Sequence, residues 1–317
     1  MSRYSRQISV TEFGEAGQLR LANAAVLIVG AGGLASPVLQ YLAGAGLGHI
    51  RLVDGDVVSE DNIHRQTIYR GADVGVPKVM AAAAHMQGLN PDCAITPVMQ
   101  PLGPDNIAAH AKGVDLVLDC ADSFAVSYSL SDFCHAQIPL IHASVVGMAG
   151  YVGGFCGTAP SLRAVFPDLP ERFGSCAEDG VLGPVVGVIG AIQAQMALSM
   201  LIGQTLSPMG QLVTYDAEGN RFGGFRFDHA PEPETQLDFI SPSQIDPRDM
   251  VIDLRMPDEG PLVSAGAQRI SVEQIPGLDV GDAPRVVLCC RSGQRAWTAA
   301  QMLGASWHGE IALIAVG

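Results

Sequence analysis

Lysine is almost absent from this chain: Lys78 and Lys112 are the only two in 317 residues. Charge as a whole is scarce, at 16% of residues against the usual quarter. What charge there is leans acidic, a net −14 with a pI near 4.8, which argues against non-specific binding to nucleic acid or an anionic membrane. A disulfide framework is also missing. The cysteines (Cys93, Cys120, Cys134, Cys156, Cys176, Cys289 and Cys290) are odd in number and scattered, which fits a reducing cytoplasm. No apolar core follows Met1-Ser2-Arg3-Tyr4-Ser5-Arg6-Gln7, so no secretory signal is expected. The longest apolar run, Val185 to Ile202, has the length of a membrane span. Gln193, Gln195 and Ser199 interrupt it and no cationic flank follows, so it reads as a helix buried inside a domain.

Against that background stands a glycine turn, Gly30-Ala31-Gly32-Gly33-Leu34-Ala35, at the end of the β-branched run Val26–Val29. Apolar residues at helical spacing follow from Leu34 to Ala45. A tight strand-to-helix turn of this kind lets a phosphate approach backbone N–H groups at a helix N-terminus. The next strand ends in Asp54, at the distance expected of a ribose-binding acid. At this point hydride transfer and nucleotidyl transfer both remain open. The residues downstream are Asp61-Asn62-Ile63-His64-Arg65-Gln66, Pro77-Lys78 and Asp119-Cys120-Ala121-Asp122-Ser123. Adenylyl transfer needs cations on leaving pyrophosphate and a carboxylate that holds Mg²⁺ between phosphate oxygens. Arg65 and Lys78 suit the first role, and Asp122, just past a parallel strand, suits the second. A nicotinamide-dependent oxidoreductase has no use for that clamp.

The spacing predicts a helical arm over 1–23, then alternating strands and helices to about residue 145, hence a doubly wound, mostly parallel α/β sheet. Antiparallel strands with glycine bends, a mobile crossover loop over 158–183, the apolar helix 185–202 and two further strands complete a first domain over 1–228. A stiff linker over 229–240 leads to a small α/β unit over 241–317.

At these residues the chain resembles the ThiF/MoeB family, relatives of the ubiquitin-activating enzymes. The motifs that carry the resemblance are Arg3-Tyr4-Ser5-Arg6-Gln7, Gly30-Ala31-Gly32-Gly33-Leu34, Asp54-Gly55-Asp56, Asn62-Ile63-His64-Arg65-Gln66, Gly75-Val76-Pro77-Lys78, Asp119-Cys120-Ala121-Asp122 and Gly187-Val188-Ile189-Gly190. It implies a Rossmann-like fold and ATP-dependent adenylylation of the C-terminal Gly-Gly of a ubiquitin-like sulfur carrier. Carried over by position, Gly30, Gly32, Gly33, Asp54, Asp61, Asn62, Arg65, Lys78, Asp122 and Ser123 hold ATP, with Mg²⁺ on Asp122. Arg6 reaches the phosphates from a partner subunit, which implies a homodimer. Ser123 stands where the family usually has asparagine. Segments 161–164 and 228–235 lack the Cys-x-x-Cys pairs of zinc-binding members, so no structural zinc is expected. Cys176 matches a loop cysteine that in some relatives bonds covalently to the carrier.

Cys290-Arg291-Ser292-Gly293-Gln294-Arg295 follows a β run and enters a helix, a turn whose N–H groups and dipole favour a thiolate. With Val251-Ile252-Asp253-Leu254-Arg255 it resembles a rhodanese domain, with Cys290 as the persulfide carrier. The two resemblances together imply sulfur transfer in molybdopterin, thiamine or thiolation pathways, with a donor such as a cysteine desulfurase. A carrier-binding protein without turnover is the rival reading, and a small-molecule or tRNA carboxylate the rival substrate.

Overall fold

The computed structural model describes residues 3–169 and 180–316. An arm of two helices, α1 (Ser5–Ile8) and α2 (Gly14–Asn23), leads into the alternating part. That part runs β1 (Ala25–Val29), α3 (Ala35–Ala45), β2 (His49–Val53), α4 (Lys78–Leu89), β3 (Ala94–Val98), α5 (Ile107–Ala111), β4 (Leu116–Asp119), α6 (Phe124–Cys134) and β5 (Leu140–Val146). After it come β6 (Ala149–Phe155), α7 (Leu162–Val165), α8 (Gly183–Leu201), β7 (Gln211–Asp216) and β8 (Arg221–Arg226). The second unit holds β9 (Asp238–Phe239), β10 (Met250–Asp253), β11 (Gln268–Arg269), β12 (Arg285–Cys290), α9 (Gln294–Gly304) and β13 (Glu310–Ala315).

The first eight strands form one sheet in the order β3-β2-β1-β4-β5-β6-β7-β8, parallel as far as β5 and antiparallel beyond it. β1 and β4 are almost wholly apolar because helices cover both faces of the sheet there. Val29 pairs with Val53 on one side and with Asp119 on the other. The C-terminal ends of β1, β2 and β4 therefore lie at one edge, where the strand order reverses. That is the edge at which doubly wound sheets bind ligands.

Helix α8 is long and apolar enough to cross a membrane by length and composition. In the fold its buried positions, among them Val185, Ile189, Gln193 and Ala197, face inward as the helix packs on α3, β5 and β6. The glutamine that breaks the apolar run is fully buried: Gln193 donates to the carbonyls of Asp119 (2.8 Å) and Ile141 (3.1 Å).

Of the crossover segment expected over 158–183, residues 170–179 lie outside the described residues, and its described start is tied down by side-chain hydrogen bonds. Ser161 donates through its N–H (2.8 Å) and its hydroxyl to the Glu232 carboxylate. These residues lie in the two segments that lack zinc-ligand cysteines, so side-chain hydrogen bonds join them directly. Next to them the Arg163 guanidinium, 2% exposed, makes a two-pronged ion pair with Asp132 (2.6 and 2.8 Å) and reaches the Leu237 carbonyl (2.8 Å). It also lies over the rings of Tyr128 (4.7 Å) and Trp297 (5.8 Å). Trp297 belongs to α9, so one cation ties the first unit to the second.

The second sheet is all parallel, in the order β11-β10-β12-β13-β9. β9 falls within the segment 229–240 expected as linker, where it adds an edge strand to that sheet.

Replacing Arg163 by methionine strands a carboxylate whose burial already pushes its pKa up. The expected cost is about 3 kcal/mol, at the lower end for a broken buried pair because Asp132 keeps some solvent access. Urea unfolding measures it, and adding Asp132→Asn to the same chain is expected to recover part of the loss.

Candidate active site

The glycine turn is dictated by contact. Gly30 has φ +87, and a Cβ there would sit 2.7 Å from the Cys120 carbonyl oxygen, so β1 ends against the turn that follows β4. A Cβ on Gly33 would meet Val186 of α8 at 2.7 Å, whereas at Gly32 the nearest atom is Gln66 Nε2 at 3.6 Å. Helix α3 then begins without a side-chain cap on its first N–H groups. Asp54 holds the turn from the next strand: its two oxygens accept from the N–H of Ala31 (2.7 Å) and of Asp56 (2.7 Å).

The downstream residues close around this turn. Asp61 and Asn62 lie in a short 3₁₀ turn. Asp61 accepts from the Ser59 hydroxyl and from Asn62 Nδ2 (3.0 Å), and the Ser59 bond is the main reason its carboxyl is held below the usual range. Asn62 Oδ1 in turn accepts from Gln66 Nε2 (3.0 Å), while the buried Gln66 Oε1 has no partner among the described residues. Arg65 lies against Gly33 and touches the Asp61 carbonyl (3.3 Å) and His64 (2.9 Å); it makes no ion pair among the described residues. Lys78 opens α4, 7% exposed, with its ammonium 2.8 Å from the open carboxylate of Asp56. Bringing that ammonium to a phosphate means exchanging Asp56 for the ligand.

Asp122 and Ser123 fill the turn between β4 and α6. The Asp122 carboxylate is exposed and has no protein partner among the described residues. A single free carboxylate suits Mg²⁺, which binds through one or two carboxylates plus substrate phosphates rather than in an all-protein cage.

Arg6 lies elsewhere. α1 packs beside the far end of α3, where Tyr4 lies against Gly46 and Gln7 donates to the Ala45 carbonyl (2.7 Å). An 11-residue helix, about 16 Å long, separates that end from the glycine turn. Cys176 lies outside the described residues.

Sequence reasoning missed the supports. The Tyr69 hydroxyl, buried, is 2.7 Å from the Ala31 carbonyl, and burial pushes its pKa well up. Asp119, fully buried, accepts from the Ala121 N–H (3.0 Å) and pairs with His142 Nδ1 (2.7 Å), whose Nε2 is 3.1 Å from the Tyr151 hydroxyl. Asp119 thereby fixes the turn that carries Asp122. The polar residue at the end of an apolar strand was the available signal.

In the second unit, Cys290 Sγ accepts from the N–H of Gly293 (3.1 Å) and of Ala296 (3.4 Å). This is the expected cradle, but the cysteine is fully enclosed. Arg295 does not add bare positive charge, because Glu259 takes its guanidinium (2.9 Å to Oε2). Burial pushes the neighbouring Cys289 thiol up to about 12, as expected of a structural residue. Cys93, Cys120, Cys134 and Cys156 are buried as well. A depression of about 430 Å³ beside the loop is lined by Arg255, Glu259, Pro261 and Arg291, among others.

The pattern described as the ThiF family matches residues 4–237. The SAMP-activating enzyme E1 of Haloferax volcanii is 40% identical over 220 residues, which cover 68% of this chain and 82% of that protein. The adenylyltransferase and sulfurtransferase UBA4 of Yarrowia lipolytica is 45% identical over 63% of this chain, and MOCS3 of Bos taurus 43% over 68%. The matched region spans about half the length of each of these two, 52% and 48%. Crystal structures of E. coli MccB share the fold at 20% identity. One with MccA-N7isoASN has a TM-score of 0.65, covering 73% of this chain and 74% of that one; one with ATP has 0.64, covering 73% and 72%.

Two outcomes follow from this geometry. Gly30→Ala forces a side chain into a left-handed conformation against backbone, so a loss of about 2 kcal/mol or more is expected in thermal unfolding. Arg295 holds the Glu259 carboxyl at about 2, below its unfolded value. Its stabilising contribution is therefore complete above the ordinary glutamate range, near about pH 4.3, and is lost as the pH falls through about 2. A carbon-13 NMR titration of Glu259 should show that low midpoint, and Arg295→Met should return it to the ordinary range.

Proposed function

This chain belongs to the ThiF family, and from that premise we propose that it activates the C-terminal glycine carboxylate of a ubiquitin-like sulfur carrier with ATP. The carrier carboxylate attacks the α-phosphate, pyrophosphate leaves, and a carrier acyl-adenylate remains. The observation that carries this reading is the convergence of Gly30, Asp54, Arg65, Lys78 and the free Asp122 carboxylate at one sheet edge. The strongly acidic chain concentrates a lysine there, although it has only two.

In this reading the backbone of Gly30–Gly33 and the start of α3 face the phosphates. Asp54 keeps the turn in shape and takes the ribose with its remaining lone pairs. Asn62, Arg65 and Lys78 stabilise the charge that develops on pyrophosphate, Lys78 after release from Asp56. Asp61 and Ser123 border the nucleotide. Mg²⁺ on Asp122 would screen the phosphate oxygens from the incoming carboxylate. Arg6, a helix length away within its own chain, would act in a homodimer from the partner subunit. Names of relatives that pair adenylyltransferase with sulfurtransferase support a second step, in which a Cys290 persulfide delivers sulfur to the activated carrier. The donor would be a persulfide source such as a cysteine desulfurase, and the compartment the cytoplasm.

ATP–pyrophosphate exchange with carriers ending in Gly-Gly tests the first step. Exchange is expected only with a carrier present, and Asp122→Ala and Lys78→Met are each expected to lower it about 100-fold or more. Carrier-independent exchange, or exchange untouched by Asp122→Ala, would overturn the assignment.

A further inference from the structure

The two candidate reactive loops meet inside one chain. Phe124, two residues beyond Asp122, is the first residue of α6. A Cβ built on Gly293 would lie 3.3 Å from the Phe124 ring and 2.7 Å from that of Phe239. Those two rings pack edge to face, with centroids 6.1 Å apart. Gly293, at φ +89, belongs to the Cys290 loop and donates its N–H to Cys290 Sγ. Two residues of backbone, at most about 7 Å, and then one phenyl side chain therefore connect Asp122 to the residue that cradles the sulfur. Six extended residues of a carrier tail reach about 20 Å, enough to cover such a gap.

The interface that sets this spacing is fixed on several sides. Tyr128 and Trp297 lie with ring centroids 5.5 Å apart, Arg163 bridges the units, and Gln301 of α9 donates to Asp168 (3.2 Å). α9 starts directly after Gly293 and α6 directly after Ser123, so the Tyr128–Trp297 contact joins the two helices that follow these loops.

We infer that the sulfur handover takes place in cis, across the Phe124–Gly293 contact, and not between the subunits of an assembly. The inference rests on the reading proposed above. The terminal sulfur of a Cys290 persulfide attacks the carrier acyl carbon, a carbon–sulfur bond forms, and AMP leaves with the electron pair of the broken carbon–oxygen bond. The product is an acyl disulfide on Cys290, from which an added thiol releases the carrier thiocarboxylate by attack on Cys290 Sγ. Because Cys290 is enclosed, the crossing requires Gly293 to part from the two phenyl rings, which opens the loop toward Asp122.

Complementation tests this directly. Asp122→Ala and Cys290→Ser chains are co-expressed and also freely mixed. Each preparation is given Mg-ATP, a Gly-Gly carrier, thiosulfate as sulfur source (sulfite leaves) and dithiothreitol, and carrier thiocarboxylate is measured by mass. Pyrophosphate exchange by Cys290→Ser and persulfide on Asp122→Ala verify that each chain is folded. Transfer in cis predicts no more thiocarboxylate from the pair than from the two variants separately, while the wild type turns over. Recovery to about a quarter of the wild-type rate, the share that random pairing in a dimer supplies, would overturn the inference. A wild type that makes carrier adenylate but no thiocarboxylate would instead remove the sulfur reading, and the handover with it.

Discussion

The close approach of Gly30 to the backbone of Cys120 and Ala121 is the contact on which the site depends. It lets β1 end against the turn that follows β4 and so brings two stretches of chain, some ninety residues apart, to a common edge. Asp54 then locks the glycine turn from β2, and Asp119 locks the Asp122 turn from below. Each of these carboxylates binds backbone N–H groups, so this edge is held mainly by hydrogen bonds to backbone, which substitution of neighbouring side chains leaves in place. Arg65 and Asp122 are also left without an ionic partner among the described residues.

Most of this first unit was legible in sequence because its signals are local. The run Val26–Val29, the glycines and the helical spacing after them mark β1 and α3 within a residue or two. Lys78 stands out through its scarcity and its place downstream of the glycine turn. What could not be read are partners set by distant packing. Nothing near Arg163 in sequence announces Trp297 or the Leu237 carbonyl, and nothing near Lys78 assigns its ammonium to Asp56. The two-residue strand β9 carries too little pattern to be distinguished from a linker. The enclosure of Cys290 has the same origin: the cradle is local and was expected, whereas the packing around it depends on the whole fold.

The second unit shows how a small domain can be integrated into a larger one. Its sheet is only five strands, and its apolar residues Leu254, Leu288 and Trp297 share a core cluster with Leu27, Val117 and Phe155 of the first unit. Shared burial at such a seam stabilises both sides together. Arg163 adds specificity to that seam, since a planar cation over two rings and against one carboxylate accepts few alternative arrangements.

Helix α8 has a consequence for how the chain is made. On a ribosome its apolar stretch would emerge looking like a membrane anchor. Yet the elements it packs on, α2, α3, β4, β5 and β6, all precede it in the sequence. When the helix leaves the exit tunnel its docking surface has already been synthesised, so vectorial folding can bury it before a targeting factor or another nascent chain captures it. The order of elements thus protects the most membrane-like segment of the protein during the interval when its exposure is most hazardous.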